Sequence, residues 1–269
     1  MLPPNNGDAI EILLNSRHYN PAYTPAPAQQ ILTICGQNIG TNGSIVLLSG
    51  LPKAGKSTFV NSMIASTMMN GFNKEIWGIK LTPTQEKPMV GYFDTESSEW
   101  DFYSNINRIK RMANIDTLHY GFNAFNTRQD STTDNITMIE HYARNYPASV
   151  IIIDGLLDLI INYNDEKESR HVVEWLKKLT SQTNVLIIGV LHTGKKDGHT
   201  IGHYGSMLDR YSQSVLEVVK DKENNLFRLS AKYLRSSAGF EDINVQWNGS
   251  EYVSIGNFPV ATKGKAKGA

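Results

Sequence analysis

The sequence predicts an α/β fold, a mostly parallel central sheet covered by helices and extended by antiparallel C-terminal strands. Three observations carry this. Four near-continuous apolar runs, "SIVLLSG" (44–50), "MVGYFDT" (89–95), "SVIIID" (149–154) and "NVLIIGV" (184–190), read as strands buried on both faces. Helical patterns alternate with them. From Ser214 onward the pattern changes to strands alone.

The elements follow in chain order. Residues 1–30 form an N-terminal Pro-rich arm: Pro3, Pro4, Pro21, Pro25 and Pro27 prevent long regular structure, although "DAIEILLNS" suits one short helix. The arm lies over the domain or a neighbour, or it is a disordered tail. Residues 31–258 form one domain. Its first buried strand, 44–50, leads through a glycine-punctuated loop into a helix, Ser57–Met69. A second helix carries Trp100, Tyr103, Ile106, Ile109 and Met112 at three-residue spacing. A third carries Ile136, Ile139 and Tyr142, and a fourth Val172, Val173, Leu176 and Leu179. Each stripe is expected to face the core. The later strands are "SVLEVVK", "LFRLSAKYL", "INVQW" and "EYVSI", the last two joined by a hairpin turn at Asn248-Gly249. Residues 259–269 form a flexible basic tail.

Composition narrows the classes. With 40% hydrophobic and 19% charged residues the chain has ordinary globular content, so disorder is not expected for its bulk. A formal net charge of zero means that nucleic-acid binding would have to come from local basic loops. The single cysteine, Cys35, cannot form an internal disulfide, which suits a reducing compartment. No apolar run is long enough to span a bilayer, and the N-terminus lacks the marks of a signal peptide. The expectation is a soluble, cytoplasmic protein with no membrane partner.

The chemistry starts at G-x-x-x-x-G-K-S, Gly50 to Ser57. Gly50 and Gly55 let the backbone turn so that successive N–H groups point at a polyphosphate. Lys56 adds a point charge, and the Ser57 hydroxyl can join the shell of a magnesium ion. The following helix contributes its positive dipole end. Binding of a nucleoside triphosphate with Mg2+ is the reading, with Gly50, Pro52, Lys53, Ala54, Gly55, Lys56, Ser57 and Thr58 as its candidate residues. Asp154, ending a buried strand, can hold the metal with Ser57 or simply cap the next segment. Glu96, after another strand end, can polarise an attacking water. Alternatively it caps the helix around Trp100, or Glu99 is the base.

"GLPKAGKST", "YFDTE", "VIIIDG" and "IIGVLHTGK" occur in the motif order of RecA-like P-loop ATPases. The chain resembles most the branch of plasmid RepA hexameric helicases and the DnaB-type replicative helicase domain, over roughly residues 31–255. The resemblance implies a RecA-like ATPase domain, with Glu96 as catalytic glutamate, Asp154 as magnesium aspartate and His192 as a sensor of the γ-phosphate. It also implies that a basic residue of "LSAKYLRSSAG" reaches a neighbour's γ-phosphate. The family spaces its basic pair as K-x-R, whereas Lys232 and Arg235 stand as K-x-x-R. Arg235 is favoured because its fork suits phosphate oxygens and it sits at the strand end. The glycine-rich loop 194–206, with little to pack, offers Lys195, Lys196, His199 and His203 to a nucleic-acid strand, or is a mobile solvated loop. The implied function is a homo-oligomeric, hexameric ATPase motor on single-stranded DNA, in replication of a plasmid, phage or mobile element. A DNA-binding ATPase of recombination or mobilisation without unwinding is the alternative.

Overall fold

In the computed structural model, residues 6–69, 75–194, 201–221, 223 and 225–255 are described. The expected architecture is present, and its details explain why the sheet can position a site at one edge. Six strands run parallel in the order β6 (Phe122–Asn126), β5 (Met89–Asp94), β7 (Ala148–Asp154), β8 (Leu186–His192), β3 (Ile45–Gly50) and β9 (Ser214–Asp221). Beyond β9 the sheet continues as an antiparallel meander of β10 (Leu226–Leu234), β11 (Ile243–Trp247) and β12 (Tyr252–Ser254). The antiparallel portion therefore begins at β10, one strand later than the change of pattern at Ser214 suggests, because β9 aligns parallel with β3.

Every residue of β3 and β7 is buried, as strands covered on both faces require. Side chains alternate between the faces with period two. Val46, Leu48, Val150, Ile152, Ile188 and Val190 join one core, under helices α2 (Lys56–Met68) and α3 (Glu99–Ala113). Leu47, Ile151, Ile153, Ile187 and Leu191 join the other, under α4 (Thr132–Asn145), α5 (Glu166–Thr183) and α6 (Gly202–Tyr211). A small antiparallel sheet, β2 (Gln37–Thr41), β1 (Gln30–Ile34) and β4 (Ile79–Leu81), closes the first core.

Helix α1 (Asn6–Arg17) lies in the N-terminal arm, where residues 8–30 are all exposed. Two expectations need correction. Trp100 and Tyr103 do not face the core: they are 72% and 58% exposed and tilt against each other at 5.7 Å. A strict three-residue spacing rotates about 60° per step around a helix of 3.6 residues per turn, so Trp100 lies opposite Ile109. Ile109 is the residue of that stripe that is fully buried. The glycine-rich segment also does not remain a loop to residue 206. Helix α6 begins at Gly202, because Tyr204 and Leu208 bury completely against the second core and override the poor helix propensity of two glycines.

Candidate nucleotide site

The chemistry-bearing side chains meet at the C-terminal edge of the parallel strands. Register brings them there. Gly50 pairs with His192 across β3 and β8, and Asp94 pairs with Asp154 across β5 and β7. A sequence pattern gives the strand ends, and the ladder aligns them.

The loop leaving β3 enters α2 through Gly55, which holds φ 91° and ψ 18°, a left-handed conformation open to glycine. A Cβ there would stand 2.3 Å from a ring carbon of Phe227. No side chain caps this helix. By contrast α3, α4 and α5 are capped by Ser98, Ser131 and Asp165. The uncapped first turn of α2 leaves backbone N–H groups and the dipole end available to an anion, which fits a phosphate. Pro52 and Lys53 are exposed in the loop, Ala54 and Thr58 are buried, and Lys53 holds φ 62°.

Lys56 is buried, and its ammonium group spends all three donors. Two go to the carbonyls of Gly50 and Leu51, each at 3.0 Å, and the third to Nδ1 of His192, also at 3.0 Å. Accepting that bond assigns the proton of a neutral imidazole to Nε2. Nε2 in turn faces the Glu96 carboxylate at 3.2 and 3.4 Å. Lys56, His192 and Glu96 thus form one continuous chain of hydrogen bonds. Burial lowers the pKa of Lys56, opposed by the charges of Glu96 and Asp154. Glu96 is held below the usual carboxylate range, first by its bond to His192 and then by the charge of Lys56, against the opposing effect of burial.

The turn that presents Glu96 is fixed by Asp94, whose Oδ1 accepts from the backbone N–H groups of Glu96 and Ser97 at 3.1 and 2.8 Å. Ser98 caps α3, so Glu96 is not used as its cap. Glu99 is exposed in the first turn of α3 and does not line the cleft. Thr95 ties the adjacent strand ends together: its hydroxyl lies 2.6 Å from Asp158 Oδ2 and 3.1 Å from the carbonyls of Asp154 and Gly155.

Asp154 is buried, with Oδ2 accepting from the Ser57 hydroxyl at 3.2 Å. Tyr92, which sequence reasoning missed, places its hydroxyl 3.2 Å from both Asp94 Oδ2 and Asp154 Oδ2, and its single proton serves one at a time. Burial, with the Asp94 and Glu96 charges adding to it, pushes the pKa of Asp154 up to about 7, against the hydrogen bonds from Ser57 and Tyr92. A crowded carboxylate next to a hydroxyl is a hard-oxygen pair that suits magnesium. No cluster of three or more acidic, histidine or cysteine side chains able to hold a metal occurs among the described residues. Ser57 and Asp154 would therefore share such an ion with phosphate oxygens and water, as a nucleotide-borne magnesium requires.

These residues line a cleft of about 390 Å³ that also includes Asp101, Ser104, Asn105 and Arg108 of α3, with Phe227 and Tyr252 from the C-terminal strands. The two aromatics meet edge to face at 5.5 Å. Arg108 on the α3 face, and the register that carries Phe227 to the cleft, leave no motif in the sequence.

The remaining candidates lie elsewhere. Lys232 stands at a bulge in β10, 4.0 Å from Glu217 Oε1. Arg235 follows β10, exposed, and its guanidinium donates to the carbonyl of Arg210. Because β10 runs antiparallel to β9, Phe227 stands at the cleft end of the strand and Arg235 beyond the opposite end. Neither basic residue lines the cleft of its own chain. His203 is exposed in the first turn of α6. Lys195, Lys196 and His199 lie outside the described residues. Among the described residues no helix is long and apolar enough to cross a membrane.

A family model described as an AAA domain matches residues 34–198, more than half of the chain, and spans the loop, Glu96, Asp154 and His192. No curated protein matches the chain.

Proposed function

The chain belongs to the AAA-domain family and is a P-loop ATPase, and from this premise we propose that it is a homo-oligomeric motor acting on single-stranded DNA. The observation that carries the hydrolytic part is the unbroken Lys56–His192–Glu96 chain at the aligned strand ends. In this chain Lys56 is saturated by its own loop and His192. Contact with a terminal phosphate requires the ammonium group to exchange one of these partners for a phosphate oxygen.

That exchange has a consequence for Glu96. His192 and Lys56 are the groups that depress its pKa. Once either is drawn toward phosphate, Glu96 becomes a stronger base and is free to orient and deprotonate water. A bound magnesium ion would supply charge neutralisation between phosphate oxygens. Asp154 and Ser57 would hold it, and Tyr92 keeps the second buried carboxylate, Asp94, hydrogen-bonded. The reading of His192 as the group that reports the exchange is supported by its position at the end of β8, before the segment that leads to α6.

The oligomer is supported by two features. Lys232 and Arg235 stand away from their own cleft, as a residue acting on a neighbour's nucleotide would. The aliphatic side chains of α1 and the Trp100–Tyr103 pair are exposed apolar surface that assembly would cover. The DNA part, and a host process in plasmid, phage or mobile-element replication, rest on the resemblance of motif order. The test is steady-state ATP hydrolysis with and without single-stranded DNA, beside assembly mass and strand displacement. Stimulated hydrolysis by a ring-sized assembly that displaces a strand is expected. Stimulation without displacement would favour the recombination or mobilisation reading, and absence of stimulation would remove DNA from the proposal.

A further inference from the structure

Helix α3 presents a polar stripe to the cleft where an amphipathic helix ordinarily presents one to solvent. Asp101, Ser104, Asn105 and Arg108 recur at i, i+3, i+4 and i+7, one face of a helix, and all four line the same cleft as Lys56, Ser57 and Glu96. The neighbouring face, Phe102, Ile106, Ile109 and Ala113, packs into the core and fixes the rotation of the helix. Arg108 is the cation of that stripe. Its Nη1 donates to Asn105 Oδ1 at 3.2 Å, one turn earlier. Its Nε is buried without a hydrogen-bond partner, and Arg108 forms no ion pair among the described residues. A buried guanidinium donor left unmet is costly, and the Arg108 side chain lines a cleft that also holds the carboxylates of Glu96, Asp101 and Asp154.

We propose that Arg108 is a phosphate-binding residue supplied in cis: its guanidinium, oriented by Asn105, contacts the polyphosphate of the nucleotide held by the Gly50–Thr58 loop of the same chain. This rests on the nucleotide reading above and adds a residue to it. A planar fork with free donors suits phosphate oxygens, and a lysine at the same place would supply charge without the two-pronged geometry. The role differs from that of Arg235, which would act across a subunit boundary.

The experiment is titration of a fluorescent, non-hydrolysable ATP analogue, with magnesium, into wild type, Arg108→Ala, Arg108→Lys and Lys56→Ala, with melting temperature recorded for each. Charge-assisted hydrogen bonds of this kind predict a loss of about 10- to 100-fold in affinity for Arg108→Ala. Arg108→Lys should fall between it and wild type, and both should melt close to wild type without nucleotide. Wild-type affinity in folded Arg108→Ala or Arg108→Lys would overturn the proposal while leaving the loop assignment intact. Failure of wild type itself to bind would overturn both. Mixing Arg108→Ala with Lys56→Ala subunits supplies a second readout. Both lesions fall on one site in the cis reading, so no turnover should return, and complementation would overturn it.

Discussion

Glu96 and Lys56 reach the same imidazole from opposite nitrogens, and the consequences differ for the two ends. Glu96→Gln keeps a side chain of the same shape but removes the carboxylate proposed as the base. Nucleotide affinity should be nearly unchanged while turnover falls about 10²- to 10⁴-fold, read by comparing analogue binding with steady-state hydrolysis. Lys56→Ala should lose both binding and turnover, because it removes the charge that the loop offers to phosphate. Asp154 makes a pH-dependent prediction. Its carboxyl titrates at about 7 in the folded protein, against 3.8 ordinarily. Between those values the folded state binds more protons than the unfolded state, so stability declines as pH rises through this window and levels off above it. The nucleotide-free protein should therefore melt at a lower temperature at pH 8 than at pH 5, with Asp154 contributing a few kcal/mol at most to the difference. Asp154→Asn should flatten the slope. Binding of magnesium with nucleotide needs the anion and should strengthen over the pH range in which stability alone weakens. A melting profile for Asp154→Asn parallel to wild type would refute the assignment.

The junction between loop and helix is where one element constrains another. Gly55 is held at positive φ with the Phe227 ring against the place a Cβ would occupy, so the phosphate loop and strand β10 share one contact. Gly55→Ala should cost about 1–3 kcal/mol from backbone strain and the clash together, measured by denaturant unfolding. Adding Phe227→Ala should give a combined loss smaller than the sum of the single losses, since removing the ring also removes the clash. The same scale shows what was legible in the sequence. The buried strands and the loop could be read because apolar runs and glycines act locally. Strand β6, "FNAFN", at the edge of the sheet, is neither a continuous apolar run nor a regular alternation, and β4 is only three residues long, so neither carries a strong pattern. Helix α6 is hidden by its glycines, and Arg108 by the fact that a polar helical stripe reads the same whether it faces water or a phosphate cleft. The positions of Trp100 and Tyr103 follow from rotation around α3, which counting in threes does not capture.

The molecule as a whole carries apolar surface in places that do not serve its own core. Ile10, Ile12, Leu13 and Leu14 of α1 are exposed, and so are Tyr19 and Tyr23 after it. With zero formal net charge there is little long-range repulsion to keep copies apart. In the proposed oligomer this arm covers a neighbouring subunit, and Arg235 completes a neighbour's site. Two experiments separate these contributions. Removing residues 1–24 should leave the melting temperature of the domain unchanged, because no side chain of residues 8–24 is buried, but should lower the assembly mass. Arg235→Ala should leave assembly mass intact and reduce turnover about 10³- to 10⁵-fold, as loss of a trans-acting arginine does in related phosphoryl-transfer sites. Mixing Arg235→Ala with Lys56→Ala subunits should then restore part of the activity. Some boundaries in the mixed assembly pair an intact phosphate loop with an intact arginine, even though each parent assembly has none. If no mixing ratio restores turnover while both variants co-assemble, Arg235 does not act in trans. Lys232→Ala then becomes the variant to mix, since the bulge in β10 carries the other basic residue of that strand end.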